Sequence, residues 1–359
     1  MGGIAAGLLA FFGRKPSALA AALTASAIYA WPGKPFNFRD KAVVITGGSR
    51  GLGFALARNL VRTGAKVALI ARDAQELESA KSQLGKDHTR LIAIPCDVTE
   101  ASELENAVNE VVKAFGGIDV WINDAGSILV GPLRAMTQAD FEALLRTQVH
   151  AIWSATQLLI PIFKQAGGGK IVNISSIGGK LAVPHLGAYT TAKFALAGLS
   201  STMNAELAAD NIQVTTVFPG LMRVGSAIQA VVKGDHDKEF AWFALGSVTP
   251  VLSVSADSAA RRILGAVARG DAQLVFPVTM RVATIIQTAL PELTAWATRF
   301  AAGMFPKSDT IIGKTGAHSE GWLRALPLAR PVIVQLEKQQ SENNETRKTD
   351  ARFNLGIES

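Results

Sequence analysis

The sequence predicts an α/β fold: a doubly wound parallel sheet flanked by helices on both faces. Two observations predict it. From Lys41 onward, short apolar, β-branched runs alternate with helical segments of about 10 to 25 residues. A glycine-rich turn also stands where the first of these runs passes into a helix. Such folds cover both faces of the sheet with helices and bind ligands beyond the carboxyl ends of the strands.

The elements follow in order. Lys41–Thr46 reads as the first strand, and Thr46-Gly-Gly-Ser-Arg-Gly-Leu-Gly53 as the turn into an amphipathic helix ending near Thr63. Glycines at 47, 51 and 53 permit a tight turn and bring backbone N–H groups close to a pyrophosphate at the helix N-terminus. Thr46, Gly47, Ser49, Arg50, Gly51, Leu52 and Gly53 are therefore candidate cofactor-binding residues. Lys66–Ala71 is the second strand, and Asp73-Ala-Gln-Glu76 has the form of a capping box for the next helix. Leu91–Pro95, Ile118–Ile122, Lys170–Ile174 and Gln213–Phe218 are further strands. Asp257–Arg269 reads as a helix and Gln273–Phe276 as the last strand.

Cofactor choice is argued at the end of the second strand. An NAD site places an acid there for the ribose hydroxyl, whereas this strand ends Ile70-Ala71-Arg72. Arg72 and Arg50 suit a 2′-phosphate, and the rival acid Asp73 has a capping task. NADP(H) is the preferred cofactor, with NAD(H) the alternative. Asp97-Val98 and Asn123-Asp-Ala-Gly126 close the third and fourth strands on the ligand edge. Seen singly, Asp97 reads as a helix cap and Asn123 as a turn former; at consecutive strand ends the cofactor reading gains.

After the strand at Lys170–Ile174 come Ser176, Tyr189 and Lys193. The chain has two tyrosines, Tyr29 and Tyr189. On a helix, the spacing of Tyr189 and Lys193 puts phenol and ammonium on one face. A free tyrosine has a pKa near 10. A neighbouring ammonium, with an oxidised nicotinamide, is expected to lower it. Tyr189 then suits a general acid in carbonyl reduction and a general base in alcohol oxidation, with Ser176 bonded to the substrate oxygen. His185, in a loop after Pro184, reads as a wall or surface residue.

Composition bounds the remaining classes. Of 359 residues, 48% are apolar and 18% charged, which supports a substantial core. Cys96 is the only cysteine, so no disulfide or cysteine zinc site is expected, and a reducing compartment suits the chain. The net charge of +7 is concentrated at the start. Residues 1–41 hold Arg14, Lys15, Lys34, Arg39 and Lys41 against Asp40, a net of +4, leaving +3 for the other 318. No basic stripe on the body favours nucleic acid. No metal site is expected.

Residues 1–37 form an apolar, basic-flanked segment. Gly2–Phe12 and Ser17–Trp31 are both uncharged but shorter than the ~20 residues of a spanning helix. Three readings stay open: a membrane-surface anchor, a helix packed on the body, and a signal peptide ending near Ala25-Ser26-Ala27. Residues 38–276 form the catalytic body. Within it, Leu221–Ser255 is the expected substrate lid, with Met222, Ile228, Phe240, Trp242, Phe243 and Leu245. Residues 277–336 are an apolar helical extension whose Met280–Phe305 stretch, interrupted by Pro291, faces a membrane, a second copy or the body. Residues 337–359 read as a polar, disordered tail.

These motifs, in this order and at these spacings, resemble the short-chain dehydrogenase/reductase family in its single-domain form of about 250 residues. The resemblance covers roughly residues 38 to 276 and implies a Rossmann-type NAD(P) domain. It implies that Asp97 lies near the adenine, that Asn123, Ala125 and Gly126 lie beside the adenosine ribose, and that Pro219 and Gly220 meet the nicotinamide. It also implies that Ser176, Tyr189 and Lys193 are catalytic, with Lys193 holding the nicotinamide ribose. Two positions depart from the family pattern. Gln148 stands in place of an Asn that supports a water in the proton relay, and is the fourth catalytic candidate. Val224 stands where a Thr often bonds the carboxamide, a bond valine cannot make.

The expected activity is interconversion of an apolar ketone or aldehyde and its alcohol, in a cytoplasmic protein with a membrane-surface or homo-oligomeric association left open. The alternative is a low-turnover NADP-binding sensor or membrane-associated partner that keeps the fold.

Overall fold

The computed structural model describes residues 35–85, 89–249, 253–308, 310–325 and 330–345. The chain divides into two units, Met1–Asn37 and Phe38–Ser359, and the architecture below is that of the second. The expected anchor at 1–33 lies outside the described residues.

Seven strands form one parallel sheet. They are β1 (Ala42–Thr46), β2 (Lys66–Ala71), β3 (Leu91–Pro95), β4 (Val120–Asn123), β5 (Gly169–Ile174), β6 (Ile212–Pro219) and β7 (Gln273–Phe276), in the order β7-β6-β5-β4-β1-β2-β3. Every pairing in it is parallel. The order reverses between β1 and β4, so the crevice for a ligand opens at their carboxyl ends. Each residue of β1 and β4 is buried, as a sheet covered on both faces requires.

The covering helices are α1 (Gly51–Thr63), α2 (Ala74–Leu84), α3 (Ala101–Phe115), α4 (Gln138–Leu145), α5 (Ala151–Gln165), α6 (Gly187–Glu206), α7 (His236–Val248) and α8 (Ala256–Arg269). Gly64 ends α1 in the left-handed conformation (φ 81°), and its amide donates to the carbonyls of Leu60 and Val61. Asp73 caps α2 by accepting from the amides of Gln75 and Glu76 at 2.9 Å each. A π-turn, Arg146–His150, joins α4 to α5 and carries Gln148.

Beyond the sheet, Leu221–Arg223 pairs with Ser253–Ser255, and α7 crosses above as the lid. A second core forms there from Leu186, Val232, Phe240 and Phe243. Of the expected lid residues, Ile228 and Phe240 are core while Leu245 is exposed.

After β7 comes a helical hairpin, α9 (Val278–Ala289) and α10 (Pro291–Ala302), broken where Pro291 starts the second helix. Neither helix buries a residue. Two last helices, α11 (Gly316–Ala325) and α12 (Arg330–Glu342), return to the body. Ile333 and Leu336 of α12 enter the lid core. Here the structure differs from the polar tail expected from residue 337. The helix runs through Glu342, and Asn343 to Glu345 continue onto the glycine loop. Polar composition misled because this segment is held by hydrogen bonds to backbone groups rather than by apolar side chains. The rest of the expected tail, 346–359, lies outside the described residues.

Candidate active site

A cavity of about 480 Å³ opens at the carboxyl ends of the strands. It runs from Arg72 and Asp97, past the glycine loop, to Ser176, Tyr189 and Met280. Gly47 (φ 73°) and Gly51 (φ 61°) hold left-handed conformations that the loop needs. A Cβ on Gly53 would lie 2.2 Å from the Gly47 carbonyl oxygen, so the loop closes only over glycine. Gly47, Ser49, Arg50, Gly51 and Leu52 line the cavity.

Thr46 and Gly53 stand behind that wall. The Thr46 hydroxyl accepts from the amides of Asp124 and Ala125 at 3.2 Å each and so fixes the turn after β4. Asn123 differs from expectation in the same way. Register aligns it with Thr46 and Asn173 across β1, β4 and β5. Its amide donates to Asn173 at 2.8 Å and its oxygen accepts from the Trp121 indole at 2.8 Å. Asn173 passes the chain to Ser200, and Ser200 to Thr216. Asn123 therefore belongs to a buried polar row tying the central strands together, and Ala125 and Gly126 are the neighbours that reach the cavity.

At the end of the cavity beside β2 and β3, Arg72 lies 3.8 Å from Asp97, and Arg50 lies 3.1 Å from Glu76. Asp97 and Val98 line the wall beside them. Asp97 accepts from the Thr99 amide at 2.9 Å, so it shapes the turn after β3 as well as the wall. Cys96 lies here too, its thiol pushed up to about 12 by burial, hence unreactive.

At the other end, α6 presents Tyr189 and Lys193 one turn apart, with Ser176, two residues past β5, on the same stretch of wall. Ser176 accepts from the Gly178 amide at 3.1 Å and bonds the Tyr189 hydroxyl. Lys193 donates to the Ile174 carbonyl at 2.9 Å, and its nitrogen lies 5.5 Å from the Tyr189 ring centre. Pro219, Gly220 and Val224 complete this wall.

The electrostatics differ from the lowered tyrosine expected. In the protein alone, burial pushes Tyr189 up to about 12; the Ser176 bond opposes this and the Asp124 charge adds to it. Burial likewise pushes Lys193 down to about 8, partly offset by Asp124. Asp124 is itself raised to about 7 by burial, against the Lys193 charge and a hydrogen bond from the Gly53 amide. The desolvation of one packed site outweighs the attraction of its charges. Asp124 directly follows Asn123, the last residue of β4. Its position marks it as part of a turn, and its action on Tyr189 and Lys193 emerges only from the packed site.

Gln148 does not reach the cavity. Its amide nitrogen donates to the Ser127 carbonyl at 2.8 Å, and its side chain packs 3.4 Å from the position of a Cβ on Gly126. The extra methylene folds the amide against the backbone of the Gly126–Ser127 turn, where it acts as a support. His185 also stays off the cavity wall. It bonds Glu239 at 2.7 Å, and Glu239 accepts from the Trp242 indole at 2.7 Å, which fixes the lid tryptophan facing the site. The wall also carries the apolar side chains of Val183, Leu186, Leu221, Met222, Trp242 and Phe243.

A glycine loop at a helix N-terminus, at the switch point of a parallel sheet, defines a dinucleotide-binding fold. One cavity runs from Arg50 and Arg72 past the glycine loop to Tyr189, so the residues present fit a nicotinamide dinucleotide. Among the described residues, no cluster of His, Cys, Asp and Glu could hold a metal ion.

Comparison with known proteins gives the same class. The family model described as short chain dehydrogenase matches residues 41–233. A dehydrogenase/reductase SDR family protein 7-like from Anopheles gambiae is 31% identical over 269 residues, covering 72% of this chain and 82% of that protein. A gluconate 5-dehydrogenase from Gluconobacter oxydans is 32% identical over 185 residues, 52% of this chain and 72% of that protein. A solved short-chain dehydrogenase from Streptomyces avermitilis is 26% identical, with a TM-score of 0.62, covering 73% of this chain and 98% of that one. The chain belongs to the short-chain dehydrogenase/reductase family, and is an NAD(P)-dependent oxidoreductase.

Proposed function

We propose that the protein interconverts an apolar ketone or aldehyde and its alcohol, preferring NADP(H). The observation that carries this reading is the convergence of Ser176, Tyr189 and Lys193 on one end of the cavity, beneath the apolar wall of Leu221, Met222, Trp242 and Phe243. A wall of that kind favours an apolar substrate body and leaves the carbonyl to be oriented by few polar groups.

The bound nicotinamide supplies hydride in one direction and accepts it in the other. Arg50 and Arg72 would hold its adenosine end, the glycine loop its pyrophosphate, and Lys193, Pro219 and Gly220 its nicotinamide end. Ser176 donates a hydrogen bond to the substrate oxygen and polarises it. Tyr189 gives its hydroxyl proton to that oxygen in reduction and recovers it in oxidation. Lys193, as the ammonium, favours the phenolate that remains.

NADP preference is supported by Arg72 at the end of β2 and Arg50 in the glycine loop, whose guanidinium groups suit a phosphate. Affinities for NADPH and NADH, measured with the wild type and Arg72→Ala, test it. The expected result is tighter NADPH binding that weakens selectively in the variant. Equal affinities, unchanged in Arg72→Ala, would overturn the preference.

We also infer that the α9–α10 hairpin meets an anionic lipid surface. Val278, Trp296, Phe300 and Met304 are between 63% and 72% exposed, and Arg281 and Arg299 stand near them in the chain. Apolar side chains with flanking cations suit an interfacial helix pair. Met280, at the start of the hairpin, also lines the cavity, which joins this face to the substrate entrance. No helix among the described residues is long and apolar enough to cross a membrane.

A further inference from the structure

The C-terminal segment enters the dinucleotide site. The amide of Gly51, the first residue of α1, donates to the Asn343 carbonyl at 2.8 Å. The Asn344 amide donates to the Ser49 carbonyl at 2.7 Å and the Glu76 carbonyl at 3.2 Å, and its oxygen accepts from Ser79 at 2.8 Å and Gln83 at 2.7 Å. Arg58 donates to the Glu342 carbonyl at 2.7 Å. These bonds deliver Glu345 into the cavity wall. One carboxylate oxygen lies 3.0 Å from the position of a Cβ on Gly51, and the other 3.8 Å from the Arg50 guanidinium.

A helix N-terminus behind a glycine loop is an anion site. A carboxylate at Gly51 and a pyrophosphate cannot both occupy it, for reasons of space and of like charge. We propose that Asn343–Glu345 is an internal competitor of the cofactor: the strap docks on the empty glycine loop, and dinucleotide binding displaces it. This rests on the reading of the cavity as a dinucleotide site.

The docked strap carries a burden consistent with release. Buried oxygen atoms of Asn343 and Glu345 have no hydrogen-bond partner among the described residues. Its attachment is polar, whereas Ile333 and Leu336 keep α12 in the lid core. The strap can therefore leave while the helix stays.

The competition has a pH dependence. Burial pushes Glu345 from 4.5 up to about 7; Arg50 and a Gln229 bond favour its charged form, while Glu76 and Asp124 disfavour it. The docked strap holds its proton more firmly than the released one. Docking is thus strongest at acidic pH and weakens as pH rises to about 7. Cofactor affinity should rise over the same interval.

The test is a binding titration of NADPH and NADH with the full chain and with a chain ending at Glu342. A strap docked in about nine molecules of ten weakens apparent affinity about tenfold, so the shortened chain should bind about tenfold tighter or better. Hydrogen exchange of the full chain should show Gly51, whose amide donates to Asn343, and residues 343–345 losing the protection of the docked strap when NADPH is added, a readout that needs no variant. Glu345→Gln, which mimics the protonated acid, should flatten the rise in affinity with pH. Asp124 and Lys193 titrate nearby in both proteins, so the difference between the two profiles isolates Glu345. Equal or weaker binding by the shortened chain, or added protection of 343–345, would overturn the competition and make the strap part of the cofactor site. If neither chain bound either nucleotide, the dinucleotide reading itself would fall, and the strap with it.

Discussion

Asp124 is the charged residue that acts on both Lys193 and Tyr189, beneath the larger effect of burial. Its carboxylate accepts a hydrogen bond from the Gly53 amide, and its charge raises the pKa of both the Lys193 ammonium and the Tyr189 phenol. Lys193 supports turnover only while protonated, so reduction should fall as pH rises through about 8. Asp124→Asn removes the charge that stabilises the ammonium. The alkaline limb of kcat/KM for reduction should then move to lower pH. An unmoved limb would show that Asp124 does not act on Lys193. Sequence spacing exposed Ser176, Tyr189 and Lys193, because a strand end and one helical turn fix where such residues point. It could not show that burial dominates their titration, since burial depends on the lid and on chain far away. The same limit explains Asn123 and Gln148, which have suitable side chains at suitable positions but bond elsewhere, to Asn173 and to the Ser127 carbonyl.

At the scale of elements, the seven strands were legible because apolar β-branched runs between helices have few other solutions. The break between α9 and α10 was legible from Pro291. What the hairpin does was not, since an apolar helix face looks the same in sequence whether covered or exposed. Its exposure leads to a prediction. Replacing Trp296 and Phe300 by Glu should abolish flotation of the protein with vesicles of anionic phospholipid, at unchanged cofactor affinity. Flotation that persisted in this variant would contradict the lipid-facing role. A wild type that failed to float but sedimented as a dimer would assign the face to a second copy. The polar segment after residue 337 was the least legible element, because hydrogen bonds from Asn344 to Ser49 and Glu76 leave no periodic trace.

For the whole molecule, one sheet edge gathers three separate contributions. The first half of the chain brings the glycine loop and the two arginines, the middle brings the acid–base group, and the last third brings the lid, the hairpin and the strap. Residues from all three line the one cavity. The central claim is that Tyr189 moves the proton in an NADPH-linked carbonyl reduction. Its most direct test is NADPH oxidation over a panel of apolar ketones and aldehydes, comparing wild type with Tyr189→Phe at matched cofactor affinity. Loss of general acid catalysis costs about 10²- to 10⁴-fold, so the variant should retain cofactor binding and lose turnover by at least about a hundredfold. Equal turnover by the two proteins, or no turnover by either with tight cofactor binding, would contradict the account.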